Sequence, residues 1–104
     1  MKWNVAYTEA AEQDLNNIYE YYSEIRLETA TAKRLITNLI EVADSLETMP
    51  FRYPTYPNEP WKSKGIRTLY KYNHVILYLP DKSTTTVSIL RIMYGGRNVD
   101  EHLV

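Results

Sequence analysis

The chain opens on a two-residue alternation. Trp3, Val5 and Tyr7 interleave with Lys2, Asn4 and Ala6, the period of a short strand. Thr8 follows as an N-cap candidate, and Glu9 and Glu12 suit the positive start of a helix. The period then lengthens. Ala11, Leu15, Ile18, Tyr22 and Ile25 form one stripe of a helix from about Thr8 to about Glu24. A second stripe, Ala32, Leu35, Ile36, Leu39, Ala43 and Leu46, is widened by Ile40. It predicts a helix that begins near Glu28 or Thr29 and ends at Met49, because Pro50 disfavours helical geometry before it. The short break between the two implies an antiparallel helical hairpin. In so short a chain its stripes are better used against a sheet than as a coiled coil for a partner.

Residues 50–65 carry Pro50, Pro54, Pro57 and Pro60 and read as an irregular connection. Its aromatics, Phe51, Tyr53, Tyr56 and Trp61, either cover an open end of the core or serve function directly. From Ile66 the period returns to two. Ile66–Lys71 and His74–Leu79 read as strands joined at Tyr72-Asn73, with a second turn at Pro80–Ser83 and a last strand over Thr84–Tyr94. The order β-α-α-β-β-β predicts an α+β fold: a helical hairpin packed on one face of a mainly antiparallel sheet, as one domain over residues 1–104. Leu15, Ile18, Leu39, Leu46, Ile76, Leu90 and Ile92 are expected in the core. Glu9, Glu12, Asp14 and Glu20 read as an ordinary exposed helix face.

Composition narrows the function classes. There is no cysteine, which removes disulfides and cysteine-based metal or nucleophile chemistry and fits a reducing cytoplasm. The first residues lack the apolar core of a signal peptide, and no run is long enough to span a membrane. No cofactor or metal is expected: His74 and His102 are the only histidines and lie far apart. His74 is most simply a turn residue. The net charge of −1 hides an asymmetry: residues 1–49 balance at −5 and residues 50–104 at +4. A basic half points to an anionic partner, either nucleic acid or an acidic protein segment.

The candidate chemistry lies in that half. Thr86–Arg97 reads TVSILRIMYGGR, a strand apolar on both faces and so expected to be covered on both. Arg91 is a charge among apolar neighbours, and Arg97 stands at the strand exit after Gly95-Gly96. Lys62, Lys64 and Arg67 cluster before and at the start of the meander. Placed at one end of the sheet, Lys62, Lys64, Arg67 and Arg97, with Trp61, Tyr56 and Tyr94 nearby, would form a phosphate-and-base surface. The plain alternative is a solvated basic edge that discourages aggregation.

The β-α-α-β-β-β order, the text Ala11-Glu12-Gln13-Asp14-Leu15-Asn16-Asn17-Ile18, the Met49-Pro50 stop and the ending Ile89–Arg97 together resemble the RelE/ParE family of bacterial type II toxin–antitoxin toxins. The likeness spans nearly the whole chain. It implies a cytoplasmic, growth-inhibiting toxin of the kind linked to plasmid stabilisation. A cognate antitoxin would neutralise it, in a heterotetramer or larger complex that would meet operator DNA only through the antitoxin. ParE-like members bind and inhibit DNA gyrase. RelE-like members cleave messenger RNA in the ribosome with Lys and Arg residues on the sheet and a late Tyr or His-Tyr pair. Here Val75, Ile76 and Leu77 stand where RelE-like members often carry another arginine, and positions 99–104 hold no tyrosine. The resemblance therefore favours a non-enzymatic inhibitor with Arg67, Arg91, Arg97, Tyr94 and Trp61 meeting the target. The alternatives are a nuclease using Lys62, Lys64, Arg67, Arg97 and His102, or a degenerate toxin that only pairs with its antitoxin.

Overall fold

The computed structural model describes residues 2–95. Its elements are β1 (Asn4–Tyr7), α1 (Glu9–Glu20), a π-helical turn (Tyr21–Ile25), α2 (Thr29–Asp44), a 3-10 turn (Ser45–Glu47), β2 (Arg67–Lys71), β3 (His74–Asp81) and β4 (Thr86–Tyr94). The hairpin packs on one face of a four-stranded mixed sheet of order β1-β4-β3-β2. β1 runs parallel to β4, and the other pairings are antiparallel.

The first helix begins where the sequence places it. Thr8 accepts from the Ala11 N–H at 3.1 Å, and its own N–H donates to the Ile89 carbonyl at 3.1 Å. One residue thus caps α1 and ties it to β4. The predicted end at Glu24 is corrected: α1 closes at Glu20 and widens into the π turn, where the Arg26 N–H reaches the Tyr21 carbonyl. Leu27, at φ 55°, then breaks the helical path. The second helix also stops short of Met49, passing into the 3-10 turn after Asp44, with Thr48 already extended. The last turn tightens before Pro50 is reached. β3 continues through Pro80 to Asp81, beyond the predicted turn. It can do so because β2 ends its pairing at Tyr78, so Pro80 has no ladder to donate to on that side.

The core divides by sheet face. On the helical side Ala11, Leu39, Ala43 and Leu46 meet Leu69, Ile76, Tyr78, Val87, Ile89 and Ile92, with Leu15 and Ile18 partly buried against them. On the other side Val75, Leu77 and Met93 lie under Tyr56, Trp61 and Ile66. Both faces are covered, and the proline-rich connection does the covering. It also pairs with the start of β2, through Thr68 N–H to Pro54 carbonyl at 3.0 Å and Tyr56 N–H to Ile66 carbonyl at 2.7 Å. Leu90, expected with the helix-facing core, belongs to the opposite face.

A bulge explains that reversal. Leu77 pairs with Arg91 and Tyr78 with Ile89, which leaves Leu90 as an extra residue in β4. Val87 and Ile89 face the helices before it, and Ile92 does so after it. Were Leu90 paired as a regular strand residue, strict alternation from Val87 and Ile89 would bring Arg91 to that core position.

Candidate functional site

The bulge sits where β1 ends, so the second half of β4 has lost its neighbour and α1 takes over. Asp14 faces that strand. Its carboxylate accepts from Arg91 Nε at 2.7 Å, from Arg91 Nη2 at 2.8 Å and from the Ile92 backbone N–H at 2.9 Å. It does the work of a missing strand: it satisfies an edge N–H and a cation together. The pair lifts the Arg91 guanidinium above its ordinary value, chiefly through the hydrogen bond to Asp14. Asp14, at 8 % exposure, is therefore no exposed-face residue.

Arg67 is also held. Its Nη1 donates to the Tyr53 carbonyl at 2.6 Å and to the Phe51 carbonyl at 3.2 Å, and its guanidinium lies 5.0 Å from the Phe51 ring centroid. It straps the connection onto the sheet. Nearby, the Tyr78 hydroxyl donates to the Pro50 carbonyl at 2.7 Å. Trp61 covers the outer sheet face, with Lys64 Nζ 5.0 Å from its ring, and Lys62 and Lys64 are exposed.

These residues do not converge with the strand exit. Arg67 pairs with Tyr78 near the far end of β3, whereas Tyr94 pairs with His74 at its start. The Gly95 N–H donates to the Asn73 carbonyl at 2.9 Å. In an up-and-down meander the first strand starts where the second ends. Arg67 and Gly95 consequently occupy opposite ends of the sheet, and the expected joint neighbourhood with the strand exit does not form. Arg97 and His102 lie outside the described residues.

The strand exit carries the open ground. Tyr94 is 55 % exposed and lines a groove of about 460 Å³ walled by Ile18, Tyr21 and Tyr22 on one side and Ile92 and Met93 on the other, with Asp14 and Arg26 at its polar edges. A second depression adjoins it, bounded by Tyr70, Lys71, Tyr72, Asn73 and His74. His74 is buried, its ring edge-on to Tyr94 at 6.0 Å between centroids. Its Nδ1 donates to the Tyr72 carbonyl at 2.7 Å, so in the neutral ring Nε2 is the acceptor nitrogen. Tyr72 and Asn73 make the turn at φ 52° and 61°.

Of the expected site residues among the described ones, only Tyr94 lines this groove. Tyr21, Arg26 and Lys71 were not singled out from the sequence, in which Tyr22 reads only as part of the helical stripe and His74 only as a turn residue. A signal existed: the chain has ten tyrosines against one phenylalanine. A ring with a polar tip suits half-wet aromatic ground better than a sealed core. Among the described residues no cluster of His, Cys, Asp and Glu could hold a metal ion, and no helix is long and apolar enough to cross a membrane.

Comparison with known proteins bears on this fold. Residues 5–99 match the family described as ParE toxin of type II toxin–antitoxin system, parDE. A structure of the chromosomal ParDE toxin–antitoxin system from P. aeruginosa superposes with a TM-score of 0.71 at 22 % identity, covering 89 % of this chain and 96 % of that one. The toxin–antitoxin complex RelBE2 from Mycobacterium tuberculosis gives 0.69 at 22 % identity, covering 90 % and 92 %. The isolated E. coli RelE toxin gives 0.56 at 13 %, covering 96 % and 93 %. At these identities the likeness is one of fold. Comparison with curated protein sequences gives no match.

Proposed function

The chain belongs to the ParE toxin family of type II toxin–antitoxin systems, and from that premise we propose that it inhibits growth by binding DNA gyrase and is neutralised by a cognate antitoxin. The observation that carries this reading is the outer face of the sheet. A nuclease of RelE type would need cations there. Instead Val75, Leu77 and Met93 fill it, closed by Tyr56, Trp61 and Ile66. The two arginines on the sheet are engaged internally, Arg67 by the Phe51 and Tyr53 carbonyls and Arg91 by Asp14. What remains open is the aromatic groove at Tyr21, Tyr22 and Tyr94. Aromatic walls with a few polar groups suit a protein surface.

One observation favours a second reading, ribosome-dependent messenger cleavage. His74, Tyr94 and Lys71 gather at the strand exit, offering an acceptor nitrogen, a hydroxyl and an ammonium group. The two readings separate in one experiment. Purified protein is added to gyrase with relaxed plasmid and, in parallel, to ribosomes stalled on messenger. Loss of supercoiling with intact messenger is expected. Cleaved messenger with unaffected supercoiling would replace this proposal with the second reading.

A further inference from the structure

The sheet end away from the groove gathers three cations around exposed apolar side chains. Phe51 is 40 % exposed, and its ring centroid lies 5.0 Å from the Arg67 guanidinium and 5.2 Å from Lys82 Nζ. Arg52 follows it, with its guanidinium 4.7 Å from the Tyr53 ring and Nη1 3.3 Å from the Met49 carbonyl. Met49 is 72 % exposed and sits at φ 48°, a backbone region that L side chains rarely adopt. Among the described residues no carboxylate forms an ion pair with Arg52, Arg67 or Lys82. The nearby acids are engaged: Glu47 with Lys2 at 3.7 Å, and Asp81 with the Ser83 N–H and hydroxyl at 2.9 and 2.7 Å. The Arg67 Nε–H is buried without an acceptor.

Like charges held this close repel, and exposed Met49 and Phe51 gain nothing from water. Both become favourable together against an acidic segment with an apolar anchor. A phosphate chain would answer the cations and leave Met49 and Phe51 wet. A molecule of net charge −1 also lacks the long-range attraction that drives nucleic-acid binding. We infer that this end docks an acidic segment of the neutralising partner: its carboxylates meet Arg52, Arg67 and Lys82, and an aliphatic or aromatic side chain covers Met49 and Phe51. The inference rests on the antitoxin reading above. It also places this contact at the end of the sheet opposite the aromatic groove, so a single partner can hold one end while covering the other.

The test uses charge reversal at the two cations that do not strap the connection. Toxin carrying Arg52→Glu and Lys82→Glu is compared with wild type for binding to the product of the neighbouring open reading frame. Lys33→Glu with Arg34→Glu, on exposed positions of α2, gives the same charge change elsewhere. The expected result is a loss of at least about tenfold in affinity for the first pair and less than about threefold for the second. Equal affinity of wild type and the first pair overturns the docking surface and leaves the antitoxin reading standing. No binding by wild type removes the antitoxin reading and the inference with it. A dT20 oligonucleotide whose binding is lost in the first pair, while the protein partner still binds, assigns the cations to phosphate and also overturns the inference. If the charge-reversed protein fails to fold, hydrogen exchange on the wild-type complex decides. Protection at residues 49–52 and 82 is expected, and unchanged exchange there counts against the surface.

Discussion

Asp14 shows how much one side chain can carry. It closes the exposed edge of β4, pairs with Arg91 and replaces the strand that ends at Tyr7. Replacing it with alanine leaves a mostly buried guanidinium and a buried N–H unmatched. We expect Asp14→Ala to cost on the order of 3 kcal/mol, the lower end for breaking a buried pair, because the Arg91 side chain keeps 23 % exposure. Urea denaturation measures it. A loss below about 1 kcal/mol would class the pair with surface ion pairs. Two tyrosines add a pH dependence. Burial pushes the Tyr78 hydroxyl from its ordinary 10 up to about 12. Tyr7, half-buried and donating to Asp44 at 2.7 Å, is raised as well. The unfolded chain therefore releases these protons first as pH climbs. Stability from both groups is intact below pH 10 and declines as pH rises from 10 towards 12. Tyr78→Phe should lower stability by about 1 kcal/mol at neutral pH, through the lost bond to Pro50, and make the alkaline decline shallower. Denaturation curves at neutral and alkaline pH give both quantities. Identical alkaline slopes in the two proteins would rule out Tyr78 as a contributor.

At the scale of elements, the helices depend on their stripes and β4 depends on its bulge. Leu39 is fully buried in the helix–sheet core. Leu39→Ala should cost about 2–5 kcal/mol, and an unchanged thermal midpoint would remove α2 from the core. Leu90 is a different case, because its importance lies in being an extra residue. Deleting it would remove the bulge and set Ile92 two positions after Ile89, so Val87, Ile89 and Ile92 would share the helix-facing side by simple alternation. We expect the deletion variant to keep cooperative unfolding in urea. Loss of cooperative unfolding in that variant would show that the bend of the bulge itself, and not only the facing of the side chains, is needed to pack the strand.

At the scale of the whole molecule, the two ends of the sheet divide the work. One end strings cations around Phe51, and the other opens an aromatic groove beside the strand exit. Substitutions in the internally bonded arginines should appear first as lost stability. Arg97 follows the strand exit in sequence, so Arg97→Ala separates the readings with His102→Ala. A binding inhibitor predicts that Arg97→Ala abolishes growth arrest on induced expression and that His102→Ala leaves it intact. A nuclease that uses His102 predicts a loss of about 10²–10⁴-fold in cleavage for His102→Ala.

The element order, the two helical stripes and the covered faces of β4 were legible in the sequence because periodicity is local: residues two or four apart share a face whatever packs against it. The family was legible for a related reason, since order and spacing survive where individual residues drift. Asp14 was not legible as a buried ligand of Arg91, because 77 positions separate the two and only the parallel pairing of β1 with β4 brings α1 along that edge. Nor was the separation of Arg67 from the strand exit, which follows from the direction in which each strand of the meander runs. The groove at Tyr94 draws its walls from the hairpin tip and from β4, segments about seventy residues apart. Local chemistry decides what each segment is, and only the packed chain decides which segments meet, because contact between distant residues depends on topology and register.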